Sequence, residues 1–389
     1  MTYQSFYSRF LKTNEGKQHY ACHSHYYWPD VTRDAVLAYW DDSATYADEK
    51  WGFFFQTLVP ELQSHIARTL NTSHPEQIVF ASNTHELLYR ILSCLDLSAP
   101  LKVVTTDAEF HSFHRQIHRL NEQANIELIS VPTEPFDTFS ARFEQAIADN
   151  DPHLVFFSQV FFNSGFYVKD IERIVASATN PETLVVVDGY HSFMAKPVDL
   201  SSLESRIFYL AGGYKYAQGG EGVCFAHVPK GCTLRPTYTG WFAELGALDK
   251  PRAGEIQYSQ DGMRFAGATM DFTALYRLRA VFNLFSKNGL TVDTIDAHVQ
   301  ALQQTFLQKL DAIEHPLLHR KALMIDNEAT RGHFLTFKLP NAEVTASLAG
   351  QLREQGILTD FRGDRLRFGF ALYHSNEEIN LSALTDCFG

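Results

Sequence analysis

The stretch "IFYLAGGYKYAQGGEGVCFAHV", residues 207–228, places Lys215 between two tyrosines in a glycine-rich turn, with an apolar run on either side. Glycine allows tight turns and close backbone approach. Lysines in loops are normally solvated. A lysine held at the end of a buried strand is instead an amine offered to a ligand. The surrounding sequence decides between the two.

Working outward, residues 77 to 228 alternate short β-rich runs with helical patterns. The strand candidates are "QIVFAS", "KVVTT", "IELISV", "HLVFFSQV", "TLVVVDG", "IFYLAGG" and "GVCFAHV". Most are almost continuously apolar, as in strands buried on both faces. Segments such as "THELLYRILSCL" and "FSARFEQAIADN" between them read as helices. This alternation predicts an α/β fold with a mostly parallel seven-stranded sheet, right-handed crossovers and a ligand site beyond the carboxyl ends of the strands. Residues 229 to about 270 are irregular. Beyond them, "DFTALYRLRAVFNLFSKNG" and "TIDAHVQALQQTFLQKLDAI" read as long amphipathic helices. "GHFLTFKL" and "DRLRFGFAL" then read as strands flanking the helix "EVTASLAGQLREQG". The expected organisation is an N-terminal segment, 1–45, that contributes to the small domain and the site; a large α/β domain, 46–272; and a smaller α+β C-terminal domain, 273–389.

The chain has 389 residues, of which 45% are hydrophobic and 20% charged, an ordinary balance for a soluble globular protein. No run approaches the ~20 apolar residues that span a bilayer. The start lacks an apolar signal core, so the expected location is cytoplasmic, with no membrane partner. A net charge of −12 argues against a general nucleic-acid binder. The five cysteines are scattered and form no C-x-x-C pair. Among the 17 histidines, His111, His114 and His118 share one helical face but lack an acidic or cysteine partner, so no metal site is expected.

Three features converge at the predicted strand ends. "LVVVDGYH" ends an apolar run with Asp188 and His191. "FASNTHELL" sets Ser82, Asn83, Thr84 and His85 at a strand-to-helix junction, which serves either as an N-cap or as an anion seat. Lys215 follows Asp188 by one connecting segment and one strand. A carboxylate, a phosphate seat and an amine at one sheet edge suit pyridoxal phosphate.

With these residues in view, "VVVDGYHSFMAKPVDL" and "YLAGGYKYAQGGEGVCFAHV" resemble the class V aminotransferase group of fold-type I pyridoxal-phosphate enzymes, and most of all its kynureninase branch. Further likenesses lie in "YACHSHYYWPDVTRDAV", "TGWFAE", "RFAGATMDF" and "RLRFGFALYHSNEEI". The resemblance implies a Schiff-base role for Lys215, a pyridinium partner in Asp188, and a His191 that contacts the phenolic oxygen or that carboxylate. It implies phosphate contacts from Asn83, Thr84 and Tyr214, with His85 beside them, and an aromatic cover from Phe110. It makes Arg367, neighboured by Arg365, the reader of a substrate α-carboxylate, with Asn163, Ser24 and Trp241 also on the substrate side. Thr269 would reach the phosphate of a neighbouring subunit, which implies a homodimer with shared sites. The expected activity is side-chain cleavage of an L-amino acid by a kynureninase-like hydrolase or lyase. The alternatives are a class V aminotransferase, a cysteine desulfurase or C–S lyase, or a non-catalytic protein that keeps the cofactor fold. A desulfurase needs a nucleophilic thiol before the arginine strand, and "GILTDFRGDRLRF" contains no cysteine.

Overall fold

The computed structural model describes residues 3–247 and 254–387. Seven strands form the central sheet: β1 Ile78–Ala81, β2 Leu101–Thr106, β3 Ile126–Val131, β4 Leu154–Ser158, β5 Leu184–Asp188, β6 Ile207–Gly212 and β7 Cys224–His227. Their order across the sheet is β1-β7-β6-β5-β4-β2-β3. Neighbours are parallel except β7, which runs antiparallel to both β1 and β6. Each expected strand is therefore present. The apolar runs are explained by burial: every residue of β1, β4, β6 and β7 is buried. Edge strand β3 is buried only at its two ends.

The reversal of β7 follows from the turn that precedes it. A β-carbon on Gly212 would lie 2.3 Å from the Tyr190 hydroxyl, and one on Gly213 would lie 2.6 Å from Val223. Gly220 and Gly222 have φ of +73° and +95°, which glycine alone adopts without strain. The chain can thus fold back within a few residues and leave Lys215 beside the ends of β5 and β6. The Gly219 amide donates to the Gly213 carbonyl at 2.7 Å and closes the turn. Arg277 clamps it from outside. Its Nε donates to the Gly219 carbonyl at 2.8 Å, and its guanidinium lies 4.9 Å from the Trp28 ring.

The helices that matter for the site are α1 Val31–Tyr46, α2 Thr84–Leu92, α3 His111–Asn121, α4 Thr273–Lys287 and α5 Val292–Asp311. Helix α1 packs on α4, with Tyr39 edge-on to Tyr276 at 5.4 Å and the Tyr276 hydroxyl donating to Asp42 at 2.7 Å. A second, smaller core gathers Tyr20, Phe306, Phe337, Leu348 and Phe368. Its sheet contains β8 Phe334–Lys338, β9 Asp360–Arg362 and β10 Arg365–Gly369, in the antiparallel order β9-β10-β8. Gln18–His19 pairs in parallel with Ile357–Leu358, so the N-terminal segment is woven into this smaller unit. The segment also reaches the large one: the Tyr7 hydroxyl donates to Gln218 in the glycine turn. Among the described residues, no helix is long and apolar enough to cross a membrane.

Candidate active site

A cavity of about 250 Å³ opens at the carboxyl ends of β4, β5 and β6. Asp188 ends β5, in register with Ser158 of β4 and Leu210 of β6. His191 sits on the turn that follows, and Tyr214 and Lys215 come from the glycine turn. Asn83, Thr84 and His85 enter from the start of α2, and Phe110 from the start of α3. All eight line the cavity. The structure therefore assembles every expected cofactor residue except Thr269.

Lys215 is buried, and its Nζ lies 2.6 Å from His191 Nε2. Three rings surround the amine: Tyr190 at 4.8 Å, Tyr214 at 5.6 Å and Phe110 at 5.6 Å. Burial lowers its pKa to about 7; the Asp188 carboxylate opposes the shift and Arg367 adds to it. Burial also keeps His191 well below the usual histidine range, with the Lys215 charge contributing. A neutral His191 accepts the lysine hydrogen bond at Nε2 and carries its own proton on Nδ1, which has no partner.

Asp188 is held by its backbone neighbour: the Tyr190 amide donates to Oδ1 at 2.9 Å. Burial raises its pKa, against the Tyr190 amide and the Lys215 charge. Among the described residues no cation bonds to this carboxylate. A buried carboxylate without a direct counterion is matched to a protonated pyridine nitrogen. Across the cavity, Asn83 caps α2 by accepting from the Glu86 amide at 2.9 Å. The positive end of the helix dipole and the Thr84 side chain then face the cavity, a seat for phosphate. Both ends of the cavity thus fit pyridoxal phosphate.

The substrate-side expectations fall apart into two places. Arg367 is buried behind the cavity wall. Its Nη1 donates to the Phe162 carbonyl, and Phe162 lines the cavity. Arg365 Nη1 donates to the Asn163 carbonyl at 3.4 Å, and its Nη2 pairs with Glu134 at 3.0 Å. Ser24 is half-buried next to His25, whose ring lies 6.0 Å from Tyr214. Trp241 and Thr269 lie elsewhere, exposed, and bonded to each other through Trp241 Nε1 at 3.3 Å.

Several site groups are not singled out from the sequence. Tyr190 stands between Asp188 and His191 and packs on the lysine. Glu109 precedes Phe110 but points inward, accepting from Thr106 and from the Ser158 hydroxyl, each at 2.6 Å. Burial pushes its pKa up to about 8, with the Asp188 charge adding to the shift. The acidic residue in "DAEFHSF" was the available signal for Glu109. His23 and Asp360, which flank Arg367, gave none. The three histidines of α3 are exposed.

Residues 31–380 match aminotransferase class-V. The chain belongs to that family. This class-V chain is 22% identical over 263 residues to a cysteine desulfurase of Yersinia pestis (strain Pestoides F), a match covering 66% of this chain and 63% of that protein. A cysteine desulfurase of Yersinia pseudotuberculosis serotype IB (strain PB1/+) matches to the same extent. The chain thus spans 63% of the length of these curated relatives. Among solved structures, a complex of the cystine C–S lyase C-DES with its reaction product cysteine persulfide superposes with a TM-score of 0.81 at 21% identity, covering 97% of this chain and 100% of that one. The apo cysteine desulfurase of Thermococcus onnurineus NA1 gives 0.78 at 18% identity, covering 99% and 96%. These likenesses establish the fold-type I architecture. The kynureninase-like branch gains no support from them; the relatives are desulfurases and a C–S lyase.

Proposed function

We propose that this class-V protein is a pyridoxal-phosphate enzyme that cleaves a carbon–sulfur bond in an L-amino acid of the cysteine or cystine class, acting as a lyase. Pyridoxal phosphate, when bound, supplies an electron sink. The chain's own residues supply the rest. Asp188 would balance positive charge at the ring nitrogen, the start of α2 would hold the phosphate, and Phe110 would cover the ring. Lys215, with its depressed pKa, takes the α-proton of the substrate as a neutral amine. The Cβ–S bond breaks with its electron pair leaving on sulfur, and the remaining three-carbon fragment is released by water as a keto acid and ammonia.

The observation that carries the lyase reading is the state of the thiols. A desulfurase uses a cysteine thiolate as nucleophile. The segment from Ile357 to Arg365 offers none. Cys224 lines the cavity, but burial pushes its pKa up to about 12. Sulfur therefore leaves to solvent instead of to the protein. The relatives' chemistry supports the same bond as the target. A second reading, kynureninase-like hydrolysis, is favoured by the Phe110–Phe162 edge-on pair at 5.4 Å, an aromatic wall suited to an aromatic side chain.

Assembly belongs to the same reading. Tyr89, Tyr238, Trp241 and Ile256 are large apolar side chains exposed to solvent. Tyr89 packs on Tyr238 and Trp241 bonds Thr269; a second copy covering these groups would bring Thr269 to its partner's phosphate seat.

The test is to load the purified protein with the cofactor and offer L-cystine, L-cysteine and L-kynurenine in parallel. Keto acid, ammonia and reduced or persulfide sulfur from the first two support the lyase. Anthranilate from kynurenine, with no sulfur release, replaces it with the second reading.

A further inference from the structure

The arginine expected to read a substrate carboxylate already holds one. Asp360 lies directly opposite Arg367 across the β9–β10 pair, and its Oδ2 is 2.5 Å from Arg367 Nη2. Arg367 Nη1 is taken by the Phe162 carbonyl. Its Nε is buried and has no partner. Two of the three guanidinium nitrogens are therefore engaged by groups of the chain itself. An incoming carboxylate that takes the Nη2 side of the fork competes there with the charge of Asp360.

Asp360 has somewhere to go. Arg362 Nη1 stands 3.2 Å from its Oδ1, and His23 Nε2 stands 3.7 Å from its Oδ2. His23 is fully buried, stacked 4.7 Å from the Phe334 ring, with neither ring nitrogen hydrogen-bonded. A buried imidazole with two idle nitrogens is a costly thing to keep unless it has a second bonding state. The cluster lies behind the wall at Phe162 yet is felt in the site: His23 and Arg367 both act electrostatically on His191, and Arg367 and Asp360 on Lys215.

We propose that Asp360 is a built-in competitor for the Arg367 fork, a specificity-determining residue that the substrate carboxylate must displace toward Arg362 and His23. This rests on the reading of the protein as an enzyme of carboxylate-bearing L-amino acids. It follows that weakly binding carboxylates are rejected without any steric barrier. Only a ligand whose amine also engages the Lys215 side of the site has enough affinity to open the pair. Removing the competitor leaves Arg367 a buried charge without its carboxylate, and a ligand carboxylate then gains what Asp360 gives up.

The experiment is calorimetric titration of the cofactor-loaded protein with L-alanine, which lacks a leaving group, and with L-alaninamide, which lacks the carboxylate. Asp360→Asn is expected to bind L-alanine about 10-fold more tightly than the wild type, the scale of one charge-assisted hydrogen bond, and alaninamide unchanged. Arg367→Gln is expected to weaken L-alanine alone. The exposed Arg362→Gln removes Asp360's alternative partner and is expected to weaken L-alanine a few-fold, which keeps the proposal testable should Asp360→Asn not fold. Unchanged or weaker L-alanine binding in Asp360→Asn, with Arg367→Gln impaired, overturns the competitor while the amino-acid reading stands. Unchanged or tighter L-alanine binding in Arg362→Gln overturns it equally. Wild-type L-alanine binding in Arg367→Gln removes the carboxylate role of Arg367, and the proposal falls with it.

Discussion

Two lysines, Lys196 and Lys215, are both buried. Lys196 Nζ meets Asp296 Oδ1 at 2.8 Å and Oδ2 at 3.0 Å, and Asp296 also bonds His333 Nε2 at 2.9 Å. Lys215 has no carboxylate in contact; it meets a neutral imidazole and three aromatic rings. Burial is common to both, so burial alone does not make an amine reactive. What distinguishes Lys215 is the absence of a bonded anion, which leaves its proton loosely held. The Lys196 pair instead ties the loop after Asp188 to α5 and β8, and serves cohesion between the large and small units.

The most severe test of this contrast is Lys215→Ala. Its turnover is expected to fall by at least ~1,000-fold, within the range of a lost general base and nucleophile. Its unfolding midpoint should hold or rise, since a buried amine with no bonded carboxylate has been removed. Borohydride reduction and peptide mapping should label Lys215 in the wild type, and a pyridoxyl group on another lysine would refute the assignment. Lys196→Met should do the reverse. It strands Asp296 in a buried site and is expected to cost about 3 kcal/mol of stability, read by denaturant unfolding, with per-molecule turnover largely kept. Equal stability losses in the two variants would erase the distinction.

Asp188→Ala comes next, with an expected ~100-fold loss of kcat, the scale of one electrostatic stabiliser. Cofactor should remain partly bound through the α2 seat, as absorbance after gel filtration will show.

The pH dependence sharpens the contrast further. With its pKa near 7 instead of the ordinary 10.5, Lys215 is neutral above that point in the folded protein and still protonated when unfolded. The unfolded chain binds more protons between about pH 7 and 10.5, so apo-protein stability should rise with pH across that window. Lys215→Met should flatten the rise. Cofactor capture by the apo-protein should speed up with pH below about 7 and level off above it, because the neutral amine attacks. A rate still climbing at pH 9 contradicts the depressed pKa.

The smallest effect is expected from Thr269→Val. If the hydroxyl reaches a partner's phosphate as proposed, losing it should weaken cofactor affinity by roughly 10-fold or less. Light scattering should give about twice the 44.2 kDa chain mass. A fully active monomer would dissolve the shared-site arrangement.

The sheet is legible in the sequence because most of its strands are nearly continuous apolar runs, a pattern that burial on both faces imposes; edge strand β3, "IELISV", is marked by its β-branched residues instead. Asp188 and Lys215 are legible because a charged residue at the end of such a run has few structural uses. The boundaries of local elements also follow closely: "FSARFEQAIADN" is the helix Phe139–Asn150. What stays hidden is pairing at long range. Asp296 finds Lys196 and His333, and Arg367 turns toward Asp360, only once separate elements dock. Glu109 reads as a polar loop residue until β4 supplies Ser158 as its donor. The choice of leaving group is hidden for a different reason. Asp188 stands at a strand end, whereas Phe110 and Phe162, which wall the cavity, lie outside the strands, where no periodicity marks them.

The pairing of Gln18 with Asn380 has a consequence for folding. Gln18 accepts from the Asn380 amide at 3.0 Å, across 362 residues of sequence. Closing so long a loop is entropically costly, so the strap that bears Tyr7 and His23 settles only as the small unit forms. The glycine turn gains its Tyr7 contact no earlier. The last wall around the amine is thus laid by the slowest pairing in the molecule.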